Sequence, residues 1–149
     1  MYLAIDVGGT KVLMTTFSDD GKPQQSEKIH TPKEYAAFLD DVKDTIKKLT
    51  GDKHPTACAI ALPGTIDRDS GTVLYFGNLA WENITICDDL SDVLTCPIYL
   101  ENDAKMAGLA EAHSIKDQFS RVLYLTVSTG IGLGLTVDGK IDHTVNDAG

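Results

Sequence analysis

Residues 2–17 read YLAIDVGGTKVLMTTF. A short apolar run, Tyr2–Asp6, closes on an acid, Gly8-Gly9 punctuates it, and Lys11–Phe17 resumes with β character. That pattern predicts a buried strand, a glycine turn and a second strand returning beside the first. Working outward, Asp19-Asp20-Gly21-Lys22 is a turn and Gln24–His30 a third strand, so the chain opens as a three-stranded antiparallel meander. A helix follows. Thr31 reads as its N-cap, Pro32 as its first residue and Glu34 as the partner in a capping box. Tyr35, Phe38, Leu39, Val42, Ile46 and Leu49 then recur at spacings of three and four, Lys47 and Lys48 suit the last turn, and Gly51 closes it.

Thr56–Leu62 is an apolar run bounded by prolines, as expected of a buried parallel strand. Thr65–Phe76 predicts a small hairpin and Asp88–Leu94 a short helix. Ile98–Glu101 is a strand that leads through Asn102-Asp103 into an alanine-rich helix, Ala104–His113. Alternating strands and helices imply an α/β unit with a mixed sheet. Arg121–Val127, the turn Ser128-Thr129-Gly130 and Ile131–Val137 then repeat the opening design of strand, glycine turn and strand. Residues 1–117 are expected to form one domain, and 118–149 a hinge with the first strands of a second.

The 149 residues are 42% hydrophobic and 23% charged, a composition that supports a real core and excludes disorder. Thirteen basic against 22 acidic residues leave a net charge of −9, which argues against nucleic acid or an anionic membrane as partner. An anionic ligand would have to be held by backbone N–H groups and a metal cation. Cys58, Cys87 and Cys96 are odd in number and widely spaced, so neither a disulfide framework nor a zinc site is expected, and a reducing cytoplasm suits them. Met1 runs directly into strand-like sequence without a signal peptide, and apolar stretches such as Val122–Val127 fall far short of the ~20 residues a membrane span needs.

Three stretches carry chemistry. In Asp6-Val7-Gly8-Gly9-Thr10-Lys11 the glycines let backbone N–H groups approach phosphate oxygens while the acid holds a metal through water; the bland alternative is a plain hairpin turn. It is no Walker A loop, because GxxxxGK[ST] is absent, and Gly130-Ile131-Gly132-Leu133-Gly134 is no dinucleotide fingerprint, because a strand follows it rather than a helix. Glu101-Asn102-Asp103 sits at a strand-to-helix junction, where helix capping competes with a carboxylate poised to take a proton from a hydroxyl. Gly77-Asn78-Leu79-Ala80-Trp81 offers Asn78 to a polar ligand, with Trp81 read as a packing anchor. His30, His54, His113 and His143 lack metal-ligand spacing and read as structural or solvated.

DVGGTK (6–11), ALPGTID (61–67), GNLAW (77–81), LENDAKMA (100–107) and LTVSTGIGLGLTVDGKI (125–141), in this order, resemble the ROK family of sugar kinases and regulators. The resemblance implies an α/β, ribonuclease H-like (actin-like ATPase) fold and ATP-dependent phosphorylation of a hexose or N-acetylhexosamine. It implies Asp103 as catalytic base and Asp6 as the organiser of Mg2+. Gly8, Gly9, Thr10 and Lys11 would form a first phosphate loop and Thr129, Gly130 and Gly132 a second, with Asn78 and Asn102 on the sugar. Ala80 stands where proline is common. The Glu-x-Gly-His segment, the cysteine-rich zinc motif and the adenosine region that follow in the family lie beyond Gly149, so no zinc is expected in this chain. Its expected partners are a hexose-type sugar, ATP, and a second copy or a C-terminal portion. A noncatalytic sugar-sensing or assembly module on the same fold is the alternative.

Overall fold

The computed structural model describes residues 1–77, 79–127 and 131–145. Strands β1 (Tyr2–Val7), β2 (Lys11–Phe17) and β3 (Pro23–His30) form the expected antiparallel meander. Strand β4 (Ala57–Leu62) runs parallel to β1, and β8 (Ile98–Asn102) parallel to β4, completing a five-stranded mixed sheet in the order β3-β2-β1-β4-β8. Between them, β5 (Thr65–Asp67) and β6 (Thr72–Tyr75) make the expected hairpin, to which β7 (Glu82–Ile84) adds a third strand.

Helix α1 (Tyr35–Thr50) lies on one face of the large sheet. Phe38, Val42, Ile46 and Leu49 are buried on its apolar stripe against Leu3, Ile5, Val7, Val12, Met14 and Ile60. Each such side chain contributes about 1.5–3 kcal/mol on burial. Gly51 closes the helix at φ 55°, donating its N–H to the Lys47 carbonyl. The helix start departs from the sequence expectation. The N-cap residue is Glu34, without a side-chain cap bond, and Thr31 and Pro32 lie outside the helix. Tertiary bonds hold the segment that precedes it: the Thr31 hydroxyl donates to Gly8 O (2.7 Å), and Lys33 O accepts the Trp81 indole N–H (2.7 Å). Trp81 is buried as expected, its ring 4.6 Å from Phe38 and 5.3 Å from Phe76.

The short helix expected over 88–94 is instead a single turn, α2 (Ile86–Asp89), whose buried Ile86 starts it earlier. Helix α3 (Asp103–Ser114) packs chiefly on the hairpin β9 (Arg121–Val127) and β10 (Ile131–Val137), to which β11 (Lys140–Ile141) pairs. That packing is close because both surfaces are small. A Cβ on Gly134 would stand 2.8 Å from Ala104 O, and one on Gly108 3.0 Å from the Tyr124 Cβ. On the outer face of the same hairpin Leu123, Leu125, Val127 and Ile131 are each more than half exposed.

Candidate functional site

Strands β1, β4 and β8 are parallel, so their carboxyl ends lie on one edge of the sheet. This is where ligands gather in α/β sheets. Asp6, Gly8, Pro63, Gly64, Asn102 and Asp103 all fall at that edge. Asp6 and Glu101 are both in register with Ala61, which places their side chains on the sheet face opposite Leu3, Ile5 and Val7.

Asp103 is the first residue of α3 and half-buried; one of its carboxylate oxygens accepts the Ala104 N–H at 2.7 Å. The helix N-terminus steadies its negative charge. Asp6 lies within its field. The Asp6 carboxyl titrates above the ordinary 3.8, first because packing around it removes solvent, then because Asp103 repels its anion, with Lys11 pulling weakly the other way. A cation between two such carboxylates relieves that repulsion, so the donor set fits a hard divalent ion.

The turn between β1 and β2 is tight. Gly8 donates its N–H to Lys11 O (2.9 Å), and a Cβ on Gly8 would stand 3.1 Å from that oxygen. Among the described residues, no acceptor takes the N–H groups of Gly9 or Thr10. Gly9 and Thr10 also line a cavity of about 390 Å³ with Thr31, Lys33, Leu79 and Ala80, which joins this turn to the 77–81 stretch.

Asn102 is fully buried. Its side-chain oxygen accepts the Lys105 N–H and its amide donates to Gly64 O, both at 3.2 Å, so it is the cap of α3. Two of the four bonds an asparagine side chain can make are thereby used. Gly64 adopts φ 117° with Tyr75 O where a Cβ would sit, which only glycine allows. Gly132 lies inside β10, opposite Thr126, rather than in the turn. Asn78, Thr129 and Gly130 fall outside the described residues.

Three sets of supporting contacts were not read from the sequence. Glu101 is buried, ion-pairs with Arg68 through two hydrogen bonds, accepts the Asn102 N–H at 2.8 Å and has His143 at 3.7 Å. Lys105 is buried in the first turn of α3 and donates to Val145 O at 2.8 Å. Thr31, buried, grips the glycine turn. A basic residue in the 65–71 turn and a lysine two residues past an acid were the available signals, but the pairings span 33 and 40 residues.

The sequence profile of the ROK family matches residues 2–147. The chain is 28% identical to a glucokinase of Halalkalibacterium halodurans over 97% of its own length and 46% of that protein's. It is 32% identical to an N-acetyl-D-glucosamine kinase of Mannheimia succiniciproducens, covering 95% of itself and 47% of the relative. The crystal structure of a ROK family glucokinase from Streptomyces griseus, in complex with glucose and AMPPNP, superposes with a TM-score of 0.84 at 24% identity, over 99% of this chain and 47% of that one. This likeness shows the fold, the actin-like ATPase fold with its mixed sheet and flanking helices. The chain spans about half the length of the relatives it matches. Matched along nearly all of its residues, the chain belongs to the ROK family.

Proposed function

We propose that the protein carrying this chain transfers the terminal phosphoryl group of ATP to a hydroxyl of a hexose or N-acetylhexosamine, with this chain supplying the N-terminal part of the site. The observation that carries the reading is the meeting of Asp6, the N–H groups of Gly9 and Thr10, which no acceptor among the described residues takes, and Asp103 at one sheet edge. Asp103 accepts the proton of the sugar hydroxyl as its oxygen bonds to the γ-phosphorus and the bond to the leaving ADP breaks. Gly8, Gly9, Thr10 and Lys11 hold phosphate oxygens, and Thr129 and Gly130 serve as a second phosphate loop next to the strand that holds Gly132. Asn78 contacts the sugar, and Asn102 reaches it through its remaining N–H while fixing the backbone before Asp103. Asp6 would hold Mg2+ through water, and the ion, when bound, neutralises phosphate charge.

Residues 1–117 form one unit in this reading and 118–149 begin another, whose apolar outer face a second copy or a C-terminal portion would cover. Because ATP and reduced thiols coexist in the cytoplasm, we place the activity there. The described residues contain no helix long and apolar enough to cross a membrane.

Calorimetric titration with a hexose panel, with and without MgATP, paired with an assay for sugar phosphate, tests the proposal. Sugar binding with MgATP-dependent phosphorylation is the expected result. Sugar binding with no phosphate transfer would point instead to the noncatalytic sensing module.

A further inference from the structure

The carbonyl groups of the glycine turn are held from behind by one residue. Thr31 is 2% exposed; its hydroxyl donates to Gly8 O at 2.7 Å and its backbone N–H to Thr10 O at 3.1 Å. An ordinary β-turn over 8–11 would use Gly8 O to accept the Lys11 N–H. Among the described residues, its partner is the Thr31 hydroxyl instead. The consequence follows from peptide geometry. In a trans peptide the C=O of one residue and the N–H of the next point in opposite directions, and the described backbone contains no cis bond. With Gly8 C=O and Thr10 C=O drawn toward Thr31, the N–H groups of Gly9 and Lys11 are turned to the opposite side of the turn.

We propose that Thr31 is a positioning residue for the first phosphate loop, aiming the Gly9 and Lys11 N–H groups at the anion. It touches neither phosphate nor sugar; it acts through the turn. The proposal rests on the kinase reading of that turn. Thr31 lies outside α1, and its hydroxyl serves the turn by donating to Gly8 O.

The test compares Thr31→Val, which keeps the shape and loses the hydroxyl, with Thr31→Ser, which keeps the hydroxyl. Thr45→Val serves as a control, because Thr45 makes an equally short 2.7 Å bond to Asp41 O within α1, away from the turn. Two quantities are read on the chain as it stands: MgATP affinity by calorimetry, and amide hydrogen exchange at Gly9 and Lys11. Losing one hydrogen bond of this kind corresponds to about a five- to tenfold change. Thr31→Val is expected to weaken MgATP binding by that factor and to alter exchange at both amides. Thr31→Ser should recover both, and Thr45→Val should move neither. Equal affinity in wild type and Thr31→Val would overturn the proposal. Should the wild type bind no nucleotide, the reading of the 8–11 turn as a phosphate loop fails for this chain. The exchange contrast then decides separately whether Thr31 orients the turn, and unchanged exchange in Thr31→Val counts against it.

Discussion

The two glycine hairpins share a pattern of letters and differ in what their glycines are for. In the first, Gly8 is small because its backbone closes on Lys11 O, and a buried threonine ties the turn from behind. In the second, Gly134 is small because α3 lies on it, with Ala104 O where a Cβ would press. One glycine serves a turn whose N–H groups stay available; the other brings a strand against the helix that starts with Asp103. The surroundings differ as well. The first hairpin sits in a five-stranded sheet with a covered apolar face, whereas the second presents Leu123, Leu125, Val127 and Ile131 outward. A glycine motif identifies close approach, and only the neighbours say what approaches.

Substitution at Gly134 is the strongest way to break this contrast. Gly134→Ala must push α3 and β10 apart and should cost about 1–3 kcal/mol, read as a lower denaturation midpoint in urea. Gly8→Ala meets only a tight 3.1 Å contact and should cost about 1 kcal/mol or less in the same experiment, while weakening MgATP binding. If the two variants lost equal stability, the division of roles would fail. On the outer face of the second hairpin, Leu125→Glu should change stability by no more than about 0.5 kcal/mol. It should also reduce self-association in sedimentation velocity, since an exposed apolar patch favours it.

The smallest effect expected is electrostatic. Asp6 titrates above the ordinary 3.8 in the folded chain, so the native state holds its proton more tightly than the unfolded one. Stability from this group is therefore present below pH 3.8 and lost as pH rises through the higher folded value. Asp6→Asn should raise the melting temperature slightly at pH 7 and leave it unchanged near pH 3. A stabilisation as large at pH 3 as at pH 7 would show that the charge is not the cause.

Much of the fold was legible because it depends on local pattern. The stripe from Phe38 to Leu49, the apolar strand at 57–62 and the alternation in β9 and β10 each announce an element and its buried face. The start of α1 was not legible, since Thr31 and Lys33 are claimed by Gly8 and Trp81, 23 and 48 residues away. The candidate site divided along the same line. Asp6, the glycine turn and the Glu101-Asn102-Asp103 junction stand out as motifs at strand ends. Arg68, Lys105 and Thr31 do not, because their roles exist only once distant segments meet. Asn102 shows how the two kinds of signal overlap: it caps α3, as its position suggested, and in doing so joins β8 to Gly64.

The central claim is that the carboxylate of Asp103 takes the proton of a sugar hydroxyl during transfer from ATP. It is tested most directly by Asp103→Asn in an assay of MgATP-dependent hexose phosphorylation, with circular dichroism confirming that the variant folds. The account predicts a loss of turnover of about 10²–10⁴-fold with sugar binding largely kept. Turnover close to that of the wild type would contradict it.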